Sequence, residues 1–283
     1  MFMIELCKDC PHNCGVDRIK KFGFCQAPKK IVVAKIIENF MWEEPCISGS
    51  KGALAIFFSG CNLKCSFCQN YKISNKVFGQ EYTPKEFIKL LKRYDLNRFS
   101  CIDLITPTHY SSLLYNALSI EKLSIPIVWN SGGYEKPEVS EKLAKVVDVF
   151  LPDLKFYSAE TSKKYTRISD YFYWASKSII KMRELKKDKF KDDLMVSGLI
   201  IRHLVLPNEY NDSNKILDFI NKNLKGTKIS LMSQFTPTEN YKSRKLYPLE
   251  YKLVLNHAEK LNLNNGYIQD FSSSAEDFIP EFD

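Results

Sequence analysis

The 283-residue chain reads as an α/β protein built on a parallel sheet, and three observations predict that class. From Ala53 onward, short runs rich in β-branched and aromatic residues alternate with amphipathic stretches, the pattern of repeated βα units. Polar clusters recur just after these runs, at the strand ends where parallel α/β folds gather ligands. A composition of 45% hydrophobic and 26% charged residues supplies one large core plus a small appendage. Periodicity alone leaves a partial barrel, a full barrel and a doubly wound sheet equally open.

In chain order, residues 1–50 form a Cys-rich extension in which Cys7, Cys10, Cys14 and Cys25 follow a C-x2-C-x3-C-x10-C spacing, with Cys46 nearby. Four thiols in a segment too short to build a core point to a metal, either zinc or a second iron–sulfur cluster. The tight first three lean toward iron and sulfur, the distant Cys25 suits either, and four free thiols are the bland alternative. Beyond the extension, 51–283, strands are predicted over Ala53–Phe58, Cys101–Thr106, Pro126–Asn130, Val147–Pro152, Leu199–Leu206 and Ile229–Gln234. Helices are predicted over Pro84–Tyr94, Ser111–Ile120, Pro137–Lys145, Tyr171–Leu185, Ser213–Leu224 and Leu249–Leu261. Cys101, inside a strand, reads as a buried apolar side chain.

The loop after the first strand carries the chemistry: Cys61, Cys65 and Cys68 stand in a C-x3-C-x2-C spacing. A fully protein-ligated 4Fe-4S cluster takes four cysteines, so three leave one iron open to a small chelator. The spacing suggests the amino and carboxylate groups of S-adenosylmethionine. Zinc is the rival, but structural zinc sites take four ligands and no fourth lies in the loop.

Phe67 before the last cysteine, and Asn70 after it, make this loop resemble that of radical S-adenosylmethionine proteins of the pyruvate formate-lyase activating enzyme-related family. Further landmarks extend the resemblance over essentially the whole chain: Trp42-Glu-Glu-Pro-Cys-Ile-Ser-Gly, Phe58-Ser-Gly, Asn130-Ser-Gly-Gly-Tyr, Leu151-Pro-Asp-Leu-Lys, Ile201-Arg-His, Leu231-Met-Ser-Gln and Ile279-Pro-Glu-Phe-Asp. The resemblance implies a six-unit partial (β/α) barrel with a 4Fe-4S cluster on Cys61, Cys65 and Cys68. It also implies reductive cleavage of S-adenosylmethionine to a 5'-deoxyadenosyl radical that abstracts a hydrogen atom. Cofactor contacts are expected at Phe67, Asn130, Ser131, Gly132, Asp153, Lys155, Arg202 and Gln234, with Lys155 near the cofactor carboxylate. The glycines after Asn130 would let backbone approach the cofactor, against the plainer reading of a strand-to-helix turn. Consecutive strand residues face opposite sides, so only one of Arg202 and His203 can look inward; the resemblance places the family's strand arginine at Arg202, which leaves His203 to pack toward a helix as a satisfied core histidine. His109 is a further candidate for substrate contact. One departure stands out: the place of the family's Gly-Gly-Glu segment reads Thr106-Pro-Thr-His109.

Partners implied are a flavodoxin- or ferredoxin-type electron donor and either a glycyl-radical enzyme, activated at a backbone glycine, or a small-molecule substrate. A zinc-binding interaction scaffold is the non-enzymatic alternative. The net charge of +8 is dispersed, and the run Lys181–Lys191 is interleaved with Glu184 and Asp188, so it reads as a solvated face rather than a nucleic-acid patch. The start lacks the pattern of a signal peptide and no apolar run approaches the ~20 residues of a membrane span, which sets a cytoplasmic expectation. Nine cysteines then read as metal ligands and free thiols rather than disulfides.

Overall fold

A computed structural model describes residues 6–238, 241–271 and 281–282. The first five residues, and Ile279, Pro280 and Asp283 of the last landmark, lie outside the described residues. Among the described residues, ten strands follow one another as β1 (Ile31–Phe40), β2 (Ala53–Phe58), β3 (Gln80–Tyr82), β4 (Cys101–Ile105), β5 (Ile127–Ser131), β6 (Val149–Pro152), β7 (Lys189–Lys191), β8 (Leu194–Leu204), β9 (Lys228–Met232) and β10 (Gly266–Ile268). The α-helices are α1 (Pro45–Ser48), α2 (Tyr71–Asn75), α3 (Pro84–Leu91), α4 (Ser111–Leu118), α5 (Pro137–Leu143), α6 (Ala159–Thr166), α7 (Tyr171–Leu185), α8 (Tyr210–Asn223) and α9 (Pro248–Lys260).

The strands form an open, mostly parallel sheet in the order β10-β9-β8-β6-β5-β4-β2-β1-β3, with β7 hairpinned onto β8. The six predicted strands are β2, β4, β5, β6, β8 and β9, and each neighbouring pair among them runs parallel. Strand β1 was missed: its Ile-Val-Val-Ala-Lys-Ile-Ile run lies ahead of the first recognised unit and pairs antiparallel with β2. β3, β7 and β10 were missed because three residues carry no readable period.

Alternation divides the core into two layers. Leu54, Ile56 and Phe58, with Ile102, Leu104, Trp129 and Ile201, pack toward the helices. Ala55, Phe57, Val128, Val149, Leu151 and Ile200 face the concave side. In the middle of that concave apolar face sits Asp103, fully buried and in register with Ala55 and Val128. Three strands stop earlier than predicted, β8 at Leu204 among them. β4 ends at Ile105 because Thr106 turns into the left-handed region at φ 58°, which a β-branched residue rarely adopts. β9 ends at Met232, so Gln234 stands in the following loop.

Candidate functional site

Sequence-distant residues meet at the C-terminal ends of the parallel strands. Cys61, Cys65, Phe67, Cys68, Asn130, Ser131, Gly132, Asp153, Lys155, Arg202 and Gln234 all border one cavity of about 530 Å³. That volume falls within the range of small-molecule sites. The cysteines arrive on the loop that leaves β2, and Leu63 N–H donates to Cys61 Sγ at 3.3 Å. The backbone N–H of Asn70 and the Ser74 hydroxyl donate to the Cys68 sulfur, whose pKa burial pushes up to about 11. Burial also raises Cys65, while the nearby Lys155 charge pulls it down. A set of buried thiols with donors and a cation aimed at them suits thiolate ligands.

Among the described residues, no three His, Cys, Asp or Glu side chains converge on a point where one ion would sit. A cuboidal cluster attaches its cysteines to different irons, so a loop built for one has no need of such a point. Three loop thiols that leave one iron open would suit a 4Fe-4S cluster on Cys61, Cys65 and Cys68.

Below the loop lies a buried ionic network. Lys155 Nζ donates to Asp153 Oδ2 at 2.6 Å, and Arg202 Nε donates to Asp153 Oδ1 at 3.1 Å. Arg202 also reaches Glu43 Oε2 at 2.8 Å and the side-chain carbonyl of Asn130. Asn130 in turn donates to Glu43 Oε1 at 3.1 Å and Asp103 Oδ2 at 3.2 Å. The cations hold Asp153 below the usual carboxylate range against its burial. Glu43 and Asp103 lie within hydrogen-bond reach of each other, and burial raises both carboxyls against the pull of Arg202. β6 ends at Pro152, yet Asp153 bridges to Arg202 and Leu154 N–H donates to the Arg202 carbonyl, so Asp153 and Lys155 still present themselves to one side.

Tyr171, read in the sequence only as the start of a helix, organises this rim. Its hydroxyl accepts from Lys155 N–H at 3.0 Å and lies 2.9 Å from the Gly132 carbonyl and 2.8 Å from the Asp153 carbonyl. Gly133, at φ 78°, has no room for a side chain, since an added Cβ would lie 2.1 Å from the Asp153 carbonyl oxygen. The glycine requirement there comes from the chain's own close approach rather than from a ligand. Phe67 meets Tyr165 edge-on at 5.4 Å and Phe235 at 6.0 Å, walling the cavity beside the cysteines. Gln234 is held by Gln269, whose amide donates to its side-chain carbonyl at 2.8 Å, and its backbone carbonyl accepts from Gln69 at 3.0 Å.

The expectation that His109 contacts substrate is corrected. His109 is wholly buried, hydrogen-bonds the Ser59 carbonyl at 2.8 Å through Nε2, and burial pushes its pKa down to about 3. It supports the backbone that leads into Cys61. Thr106, in the same substituted segment, does border the cavity, whereas Thr108 is turned away to donate to the buried Glu135 at 2.6 Å. His203 faces the helix layer as expected, satisfied by the Leu154 carbonyl at 2.7 Å and the Ser213 hydroxyl at 2.9 Å. The reading overlooked Glu43 and Glu44 as site residues; two adjacent acids inside the Trp42-Glu-Glu-Pro landmark were the available signal.

Cys7, Cys10, Cys14 and Cys25 gather in one knuckle but are not among the described residues that line the cavity. Arg18 donates to Cys7 Sγ at 3.0 Å and pairs with Asp9 at 3.3 Å; backbone N–H groups of His12 and Ala27 donate to Cys10 and Cys25. The knuckle rests against the cysteine loop, with His12 Nε2 hydrogen-bonded to the Asn62 carbonyl at 2.8 Å.

Residues 55–220 match the family described as the Radical SAM superfamily. The uncharacterized protein MJ0674 of Methanocaldococcus jannaschii is 34% identical over 275 residues, which cover 92% of this chain and 76% of that protein. Among solved structures the chain is similar to Streptococcus suis SuiB bound to precursor peptide SuiA, with a TM-score of 0.54 and 17% identity over 75% of this chain and 48% of that one. SuiB bound to S-adenosylmethionine aligns with a TM-score of 0.52 and 17% identity over 75% of this chain and 46% of that one. A radical SAM methyltransferase from Sphaerobacter thermophilus aligns at 0.51 and 13% identity over 77% and 65% of the two chains. The chain thus spans about half the length of SuiB, and at these identities the likeness is one of fold.

Proposed function

The chain belongs to the radical SAM superfamily, and from that premise we propose that it is an iron–sulfur enzyme that reductively cleaves S-adenosylmethionine and takes a hydrogen atom from a substrate in the cavity. The observation that carries this reading is that the three loop cysteines and the Asp153–Lys155–Arg202–Asn130 network open onto the same space. When bound, the cluster supplies an electron and S-adenosylmethionine a 5'-deoxyadenosyl radical.

The chain's own residues bind and orient. Cys61, Cys65 and Cys68 hold the cluster. Lys155, whose partner Asp153 is already shared with Arg202, has charge to offer the cofactor carboxylate. Asn130, Ser131 and Gly132 present strand-end polar groups, Phe67 an aromatic wall, and Gln234 an amide beside the cysteine loop. No general base is required for removal of a hydrogen atom.

In the activating-enzyme-like form of the proposal the hydrogen comes from a glycine of a partner glycyl-radical enzyme, and a flavodoxin or ferredoxin delivers the electron. A second form, radical modification of a small molecule or another protein residue, is favoured by Thr106-Pro-Thr-His109 standing where the Gly-Gly-Glu segment is expected. The scaffold alternative gives Asp153, Lys155 and Arg202 nothing to do. We further propose a second metal, zinc or an iron–sulfur cluster, on Cys7, Cys10, Cys14 and Cys25, and a cytoplasmic setting. Among the described residues no helix is long and apolar enough to cross a membrane.

The test is anaerobic reconstitution with iron and sulfide, reduction, addition of S-adenosylmethionine, and chromatography for 5'-deoxyadenosine beside Cys65→Ala. Formation that depends on Cys65 is expected. Failure of the wild-type protein to bind either cluster or cofactor overturns the reading. A peptide-bound glycyl radical, seen by electron paramagnetic resonance on the partner, separates the first form from the second. Metal counting on Cys10→Ala reports on the N-terminal site.

A further inference from the structure

Glu44 is a buried carboxylate whose side chain makes no hydrogen bond or ion pair among the described residues. It is only 8% exposed, one of its oxygens is sealed from solvent without a hydrogen bond, and neither oxygen joins an ion pair. Its position ahead of α1 is one where side chains often cap a helix, yet Glu44 makes no such bond; only its backbone carbonyl is used, by Ile47 N–H at 2.7 Å. Burying a charge without a partner is expensive and is rarely retained for stability.

Of the nearby cations, Arg202 is bonded to Glu43, Asp153 and Asn130 and Lys155 to Asp153, whereas Lys228 is bonded to the neutral Asn265 side-chain carbonyl and keeps its charge. The field of Glu44 is felt by Arg202, and burial, with a smaller push from Glu44, raises the Cys46 thiol and the Tyr267 hydroxyl, which hydrogen-bond each other. Glu44 borders the same cavity as the cysteine loop, and it does so from the other end. The loop leaves the C-terminal end of β2, whereas α1, which Glu44 precedes, touches the starting end of β4 through Cys101 Sγ and the Ile47 carbonyl at 3.5 Å. A five-residue strand such as β4 spans roughly 16 Å. Phe40, Trp42 and Tyr267 border the cavity around this end, where the Lys228 ammonium already stands 6.0 Å from the centre of the Tyr267 ring, as aromatic faces attract cations.

We propose that Glu44 receives a cationic group of the substrate, an alkylammonium or alkylguanidinium, and so points the rest of that molecule along the cavity toward the cysteine loop. The inference rests on the proposed radical reading for what happens at the far end, and it names the substrate class of that site. The cation comes either from a free amine or from a Lys or Arg side chain of a peptide.

Calorimetric titration of the reconstituted protein tests it, with n-hexylammonium and hexylguanidinium as probes, 1-hexanol as the neutral control, and lysine- and norleucine-containing tripeptides as a second arm. The cationic probes are expected to bind about 10- to 100-fold more weakly to Glu44→Gln, the loss of one charge-assisted contact, with 1-hexanol unaffected and Glu44→Asp intermediate. Preference for the lysine tripeptide over hexylammonium identifies a peptide source, and the reverse a free amine; both support the proposal. Equal binding to wild type and Glu44→Gln overturns it, as do failure of every cationic probe to bind wild type and displacement of the amine by Mn²⁺ at Glu44. Because Glu44→Gln could fold differently, a wild-type crystal soaked in hexylammonium is the second measurement: nitrogen density against Glu44 supports the proposal, and density elsewhere refutes it. The titration does not read cofactor cleavage, so Glu44-dependent binding without 5'-deoxyadenosine defeats the radical reading alone. Cleavage without Glu44-dependent binding defeats this inference alone.

Discussion

Arg202→Met tests whether the network beneath the cysteine loop is held together by one side chain. Arg202 makes contacts of 2.8 Å to Glu43 and 3.1 Å to Asp153, and a third to Asn130, with its own side chain 15% exposed and those of Glu43 and Asp153 8% and 12%. Methionine keeps much of the volume but leaves the buried Glu43 without its cation and Asp153 with Lys155 alone. Breaking a buried pair in this way costs about 3–5 kcal/mol. With an unfolding entropy of about 2.1 cal/mol/K per residue, the 283 residues give about 0.6 kcal/mol/K, so Tm should fall by about 5–8 °C.

The loss should depend on pH with a definite sign. In the wild type Asp153 has a lowered folded pKa, so its contribution is present above the unfolded carboxyl pKa and disappears as pH falls through the folded value. Glu43 and Asp103 have raised folded pKa values, so they bind protons more readily folded than unfolded and the fold gains stability as pH falls through them. Removing Arg202 raises all three, because it is a pull toward ionisation in each. The variant should therefore lose more at pH 8 than at pH 5.5, where protonation relieves the stranded charges. Thermal unfolding of anaerobic wild type and variant at both pH values measures this. A Tm change below 2 °C, or a loss that is larger at pH 5.5, would show that Arg202 does not carry the network.

Tyr171→Phe removes the hydroxyl shared by Lys155 N–H and the Gly132 and Asp153 carbonyls and should cost about 1–3 kcal/mol; denaturant unfolding checks it, and a neutral result would mean water replaces the hydroxyl. Gly133→Ala meets the Asp153 carbonyl with an added Cβ at φ 78° and should cost more than the ~1 kcal/mol of left-handed strain alone, read as lost Tm or lost soluble yield; an unchanged Tm would contradict the packing described. His109, with its folded pKa lowered to about 3 by burial, stays neutral where the unfolded histidine charges, so stability should fall by up to ~1.4 kcal/mol per pH unit on acidification below about pH 6.5. His109→Gln should flatten that slope in a pH series of unfolding curves, and an unaltered slope would assign the acid sensitivity elsewhere.

Local signals carried a long way. Six of the parallel strands were legible because each is an apolar run bounded by turn residues, and Cys61, Cys65 and Cys68 were legible because cluster ligation depends on spacing within one loop. The two-residue period of a strand let only one of Arg202 and His203 face inward and the resemblance chose Arg202; His203 contacts Leu154 and Ser213 on the helix side. β1 escaped notice because its partner β2 lies across the α1 turn and the antiparallel pairing breaks the βα rhythm. His109 was misjudged because strand-end position does not tell which way a side chain turns; burial against Ser59 settled that.

By itself, then, the sequence determined the repeated βα architecture and the cysteine loop, since both are written in the spacing of neighbours along the chain. Only the tertiary structure decided that Glu43, Asp103 and Tyr171 join the predicted Asp153, Lys155 and Arg202, and that Glu44 stands buried without a side-chain hydrogen bond at the far end of the same cavity. Those facts depend on which charges meet and which are left over after folding. Pairing across 159 residues, as between Glu43 and Arg202, leaves no periodic trace in the chain.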